Sequence, residues 1–219
     1  MPPELSLAKQ SGVSRSTVRE ALRTLEQAGL VERVSPRVMT VRRSEDAAYR
    51  VLIHELRRRN VTFHHLHEAL LMLDPELSRL AAERADADDI GLLHDLVAAQ
   101  ERKLDRFTEW NRLDVDFHLA IAEMSGNPAL IIARAPLTQV LIPTLDRFMN
   151  STWLTGHATD FHRRIVAEIE AGDPDTAAAV TRRHVNDFGV AWEKAGRSFD
   201  EQIADLGDER DRSGADGLL

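Results

Sequence analysis

Two tripeptides punctuate this chain in the same way, Gly126-Asn127-Pro128 and Gly172-Asp173-Pro174. Glycine accepts the left-handed backbone that ends a helix. The Asn or Asp side chain accepts from free N–H groups at the next helix start, and proline suits the first helical position. The chain is therefore committed to helices that stop and restart within a few residues. Leu, Ala and Val dominate while aromatics make up only 5 % of the 219 residues, a bias toward helix over β-sandwich. From Arg43 onward, helices are expected near 46–59, 63–85, 87–107, 108–125, 128–149, 157–171 and 174–195. The acid- and glycine-bearing stretch 197–219 reads as a frayed tail. The amino-terminal 43 residues differ from everything that follows.

Residues 1–43 carry eight Lys and Arg against four Glu, a net +4, whereas the whole chain is at −8. The remaining 176 residues thus stand at −12, so a basic module precedes an acidic body, as in a DNA reader joined to a sensing body. The chain has no cysteine, which excludes a disulfide framework and fits a reducing compartment. Met1 is followed by Pro and Glu rather than by a charged and then apolar leader. The longest apolar stretch, Ala129 to Pro143, is interrupted by Arg134 and Gln139, too short and too polar to span a bilayer. A membrane partner is not expected, and the expected location is the cytoplasm.

In the basic module, Leu5–Ser11 reads as a short helix stopped by Gly12. Ser14 caps a second helix on which Val18, Leu22 and Leu25 recur at helical spacing before Gly29. Two β-like pieces, Leu30–Val34 and Val38–Val41, flank the turn Ser35-Pro36-Arg37. Helix, tight turn, helix and hairpin is the order of a winged helix-turn-helix.

The stretch Leu5-Ser-Leu-Ala-Lys-Gln-Ser-Gly-Val-Ser-Arg-Ser-Thr-Val-Arg-Glu-Ala-Leu-Arg-Thr-Leu-Glu-Gln-Ala-Gly-Leu-Val31 resembles the DNA-binding signature of GntR-family bacterial transcription regulators. The body resembles the FCD effector domain of the FadR-like branch, through Asp114-Val-Asp-Phe-His118, Ser125-Gly-Asn-Pro-Ala-Leu130, His162-Arg-Arg-Ile165, Gly172-Asp-Pro and Arg183-His184. The implied fold is mainly α, with a winged helix-turn-helix over 1–43 and an all-helical FCD-type effector and metal-binding bundle over 44–196. Two departures bear on the first part. Met1-Pro-Pro-Glu starts inside the family's opening segment, so the family's first helix is missing, and the faces of Leu5, Leu22 and Leu25 would lack a partner. A poorly stable or rearranged DNA module is the expectation. In the wing, Val38 stands where the family usually has glycine.

Arg15 and Arg19 lie four residues apart and project from one face of the recognition helix. Their planar guanidinium forks suit guanine O6 and N7 in the major groove. Ser14, Ser16 and Thr17 sit at the positive helix N-terminus and suit phosphate. Arg33 and Arg37 flank the hairpin, within reach of the DNA backbone or minor groove. The implied partner is double-stranded operator DNA, bound by a homodimer.

Asp114 and His118 share a helical face by the same spacing, and Asp116, roughly 200° around the helix, points away. The FCD resemblance assigns His162 and His184 to the same centre. Three imidazoles and a carboxylate suit a divalent transition metal, Zn²⁺ first, with Ni²⁺ or Mn²⁺ as alternatives. His64, His65 and His67 read as a solvated helix start, His54 and His94 as surface, and His157 as a pocket-lining group beside the metal. FCD domains of this kind bind small carboxylic acids near the metal. They often carry an arginine where this chain has Leu70, and that exchange removes a carboxylate clamp and adds apolar wall. The expected effector is accordingly a small organic acid of fatty-acid-like or aromatic character, with Arg134 as a compensating cation if its side chain turns inward. The link around Arg42–Ala48 would pass the effector's bias to the DNA module. A different reading, a metal-dependent hydrolase using Asp114 and the three histidines, lacks an in-register general base or nucleophile.

Overall fold

The computed structural model describes residues 2–27, 31–35, 38–41, 51–56 and 58–202. It divides into two compact units, Met1–His54 and Glu55–Leu219.

In the first unit, α1 (Glu4–Ser11) ends at Gly12, whose φ of 67° supplies the left-handed stop. The second helix, α2 (Arg15–Gln27), starts where Ser14 Oγ accepts from Thr17 N at 3.1 Å. Strands β1 (Val31–Ser35) and β2 (Val38–Val41) pair antiparallel, with the register shifting between Arg33 and Ser35 so that Ser35 faces Val38. Ala8, Val18, Leu22 and Val31 form a small core with Leu7 and Leu25 against it. The expectation that Leu22 and Leu25 lack partners is therefore corrected: the α1–α2 angle and the start of β1 cover them. Leu5 does remain exposed.

The second unit contains six helices among the described residues: α3 (Phe63–Arg84), α4 (Ala87–Glu101), α5 (Phe107–Met124), α6 (Pro128–Phe148), α7 (Thr152–Glu170) and α8 (Pro174–Lys194). Both Gly-Asx-Pro steps act as expected. Gly126 and Gly172 adopt φ of 59° and 64°. Asn127 Oδ1 accepts from Ala129 N and Leu130 N, and Asp173 Oδ1 accepts from Thr176 N. Helix α3 is central and touches α5, α6, α7 and α8. Its Pro75 has no N–H for the Leu71 carbonyl one turn back, and Arg182 Nη1 of α8 donates to that carbonyl at 3.2 Å instead. Leu77, Leu93, Phe117, Ile121, Ile165 and Ile169 are among the residues of the main core.

Three expectations are corrected. Helix α4 ends at Glu101, and a turn carries the chain to Arg106. Helix α7 begins at Thr152 rather than 157, because Ser151 Oγ caps it through Leu154 N and Thr155 Oγ1 ties its first turn to the Leu104 carbonyl. The start of the supposed tail is built into the fold. Phe63 N donates to Glu201 O, His64 N donates to Phe199 O, and the Phe199 ring packs on Phe63 and His67. Residues 203–219, the link Arg42–Ala48 and the first part (46–50) of the helix expected over 46–59 lie outside the described residues, whereas 51–56 of that segment are helical.

Helix α6 is, by length and composition, the one described helix apolar enough to cross a membrane. The short apolar run did not reveal that, since the whole helix is 21 residues long. Ala135, Val140, Leu145 and Phe148 are buried in the bundle and Arg134 is buried in an ion pair, whereas Ile132 is exposed.

Candidate functional site

Three imidazoles converge in the second unit. His118 from α5, His162 from α7 and His184 from α8 each place a ring nitrogen within 4.8 Å of the others. His162 Nε2 lies 3.2 Å from His184 Nε2. Asp114, one turn before His118, sets Oδ1 3.4 Å from His162 Nε2 and 3.9 Å from His118 Nε2. The spacing argument for Asp116 also holds in space, since that side chain is exposed.

His162 is the most rigidly held of the three. It is fully buried, stacked on Phe117 at 4.2 Å between ring centroids and backed by Trp110, whose Nε1 is anchored to Thr159 Oγ1. Gln100 Oε1 of α4 lies 2.9 Å from His162 Nδ1. With Gln100 accepting there, Nδ1 carries the proton and the Nε2 lone pair faces the other ligand atoms.

Burial governs the protonation of the cluster. It holds His118 and His162 well below the ordinary histidine value, with the neighbouring imidazoles adding to the effect. It pushes His184 down to about 4. Burial raises the Asp114 carboxyl to about 7, a shift that Arg134 opposes and Asp74 reinforces. Neutral imidazoles beside a carboxyl group form a donor set that suits a divalent cation.

The cluster opens into a cleft of about 740 Å³, counting the space at its mouth. Leu70, Arg134 and His157 all line it. Arg134 does turn inward and is 2 % exposed, but it is already engaged. Its Nε and Nη2 donate to the two carboxylate oxygens of Asp74 at 2.5 and 3.1 Å, and Nη1 donates to Thr138. His157 is 2.6 Å from Asp187 through Nε2 and stacked on Trp153. The aromatic walls include Phe148, Phe161 and Phe188.

Asp74, Gln100 and Asp187 were not singled out from sequence. Their importance arises from contacts between distant segments, which local spacing does not signal. The histidine cluster at the start of α3 is also corrected. His64 and His65 are exposed, but His67 is buried, with Nε2 2.9 Å from the Val185 carbonyl and its ring stacked on Phe63.

In the first unit, Arg15, Arg19, Ser14, Ser16 and Thr17 are all exposed at the start of α2. The Ser14 hydroxyl bonds those of Ser16 and Thr17 at 2.7 and 2.8 Å, and Arg19 Nε lies 3.5 Å from Glu4 Oε2. Arg33 falls in β1 opposite Met39, and Arg37 lies outside the described residues.

Residues 65–187 match the FCD domain family, and residues 1–41 match the gntR family of bacterial regulatory proteins. The chain belongs to the gntR family, with an FCD domain. Its relatives include the HTH-type transcriptional repressor NanR of Escherichia coli K12, 29 % identical over 212 residues, covering 92 % of this chain and 79 % of that protein. NanR of Klebsiella aerogenes is likewise 29 % identical, covering 90 % of this chain and 78 % of that protein. A solved structure of Streptococcus agalactiae GntR is similar at 28 % identity, with a TM-score of 0.60 over 86 % of this chain and 87 % of that one. This gntR-family chain is thus a transcription regulator with an effector-binding FCD domain, not an enzyme, and the hydrolase reading is set aside.

Proposed function

We propose that the FCD domain holds a divalent transition metal, Zn²⁺ first, on Asp114, His118, His162 and His184. We further propose that a small organic acid in the adjoining cleft controls operator binding by a homodimer in the bacterial cytoplasm. The observation that carries this reading is the convergence of three imidazoles and one carboxyl group beside a cleft that Leu70, Arg134 and His157 also line. When bound, the metal supplies a Lewis-acidic anchor for an oxygen donor of the effector.

The chain's own residues do the rest. Gln100 and Phe117 fix the His162 ring, and Asp114 offers its carboxylate from the same face as His118. The buried walls exclude water. Arg15 and Arg19 on α2 read base edges in the major groove, while the Ser14, Ser16 and Thr17 hydroxyls and helix N-terminus meet phosphate. Arg33 and Arg37 add backbone contacts from the hairpin. A dimer presents two such helices to half-sites about one helical turn apart. The effector alters this by binding two states of the protein with different affinity.

Fluorescence anisotropy with DNA from the gene's own upstream region, over a salt series and with metal added or chelated, tests the reading. Sequence-dependent binding that weakens steeply with salt and responds to metal is expected. Binding that ignores both sequence and metal would overturn it.

A further inference from the structure

The charge arrangement of the cleft restricts what enters it. Arg134 is the only Lys or Arg among the described lining residues, and its guanidinium is occupied by Asp74 and Thr138. That ion pair is neutral as a unit and 2 % to 5 % exposed at its two residues, so Arg134 is not available as an anion clamp. The polar lining groups Asp74, Asp114, His118, Arg134 and Thr138 form one cluster, linked by contacts of 3.9 Å or less. Most of the remaining lining is Leu, Phe, Val and Met side chains, including Leu70, Leu141, Leu145, Phe148, Phe161 and Phe188. Of the other polar lining residues, His184 belongs to the histidine cluster, and His157 Nε2 lies 2.6 Å from Asp187.

A divalent ion on neutral histidines and the Asp114 carboxylate would carry, together with those four ligands, one net positive charge. A single carboxylate balances it. A second carboxylate on the same ligand would meet apolar wall and no cation, and a polyhydroxylated body would leave hydroxyls without partners. We propose that the effector is an amphipathic monocarboxylate, with one acid group at the metal and an apolar alkyl or aryl body along the Phe148, Phe161 and Phe188 walls. The inference rests on the metal reading above. Leu70 is then a specificity-determining residue, since a cation at that position would supply the charge that a second acid group or a sugar acid requires.

The test uses the full chain loaded with Zn²⁺ and isothermal titration with three probe classes. These are monocarboxylates from hexanoate to dodecanoate plus 3-phenylpropionate, the α,ω-dicarboxylate suberate, and gluconate. At least one monocarboxylate is expected to bind tenfold or more tighter than suberate and gluconate, and to lose that affinity when Zn²⁺ is stripped. Leu70→Arg is expected to reverse the order, raising suberate affinity tenfold or more. Suberate or gluconate binding as tightly as the best monocarboxylate overturns the proposal, as does an absence of binding by every monocarboxylate or binding that survives metal removal. A separate titration of Zn²⁺ into the metal-free chain, with no acid present, reports on the metal reading alone. Saturable one-site uptake leaves that reading standing whatever the acids do, and no uptake removes both.

Discussion

Arg134 and Asp74 meet across 60 residues of sequence, guanidinium to carboxylate, through two hydrogen bonds of 2.5 and 3.1 Å at the wall of the cleft. The pair joins α3 to α6 and holds a cation beside the candidate metal ligands without leaving its charge exposed. Breaking such a pair from one side strands the other charge in a dry site, which typically costs about 3–5 kcal/mol, whereas replacing both partners by apolar groups is far less costly. Asp74→Asn is therefore expected to destabilise the second unit strongly, and Asp74→Leu with Arg134→Met to recover most of the loss. Urea unfolding of the single and the double variant checks this, and equal losses in the two would count against it.

The stability of the metal-free protein is expected to fall as the solution is acidified. In the unfolded chain His118, His162 and His184 take up protons near pH 6.5. In the fold, burial keeps His184 neutral down to about 4, and the other two are also held well below their ordinary value. The unfolded state therefore binds more protons across this window, and stability drains away as pH falls from 7. Asp114 acts in the opposite sense. Its folded carboxyl keeps its proton up to about pH 7, so its contribution is full below the unfolded value and is lost as pH rises through 7. Three histidines outweigh one carboxyl, for a net loss of about 3 kcal/mol between pH 7 and pH 5. Denaturant midpoints in chelator at the two pH values measure it, and equal or greater stability at pH 5 would contradict it.

Gly189 reverses a usual rule. Alanine inside a helix is ordinarily about 1 kcal/mol better than glycine. Here a Cβ would stand 2.7 Å from His67 Nε2 and 3.1 Å from Phe199 Cζ. It would force His67 off the Val185 carbonyl and disturb the packing of residues 197–202. Overpacking of this kind costs about 1–3 kcal/mol, so Gly189→Ala is expected to lower the melting temperature. A stabilised variant would show that His67 yields without cost.

What was legible in the sequence was whatever local spacing or a contiguous motif carries. The Gly-Asx-Pro steps announced two helix junctions because glycine, cap and proline act within one turn. The run from Leu5 to Val31 announced the helix-turn-helix because turn, cap and apolar repeat lie within it. The i,i+4 pair Asp114 and His118 could be placed on one face by helix geometry, but bringing in His162 and His184 required the family register. Gln100 behind His162, Asp74 against Arg134 and the Val185 carbonyl against His67 were invisible for one physical reason. Each depends on how helices pack, and a helix face shows only that it is polar or apolar, not which partner it meets. Phe199 was lost among acidic neighbours, although one buried aromatic ring outweighs their preference for solvent.

On the DNA side, Arg19 has an internal competitor. Its Nε lies 3.5 Å from Glu4, on the helix that precedes the turn. Arg15→Ala and Arg19→Ala are each expected to lower operator affinity by about 1–3 kcal/mol and to relax selectivity at one base position. Glu4→Gln, which releases Arg19, is expected to raise affinity modestly. Anisotropy titrations against operator and scrambled DNA check all three. Losses equal on both DNAs, with only a shallower salt dependence, would make these arginines phosphate contacts instead.

Four side chains from three helices make up the proposed metal centre, and metal content tests it without reference to any effector. Elemental analysis of the protein purified without added chelator, beside His162→Ala and His184→Ala variants shown to be folded by circular dichroism, is expected to find one divalent transition metal ion per chain, reduced at least tenfold in both variants. Folded, unsubstituted protein that holds no stoichiometric metal and takes none up on dialysis against Zn²⁺, Ni²⁺ or Mn²⁺ would contradict the account.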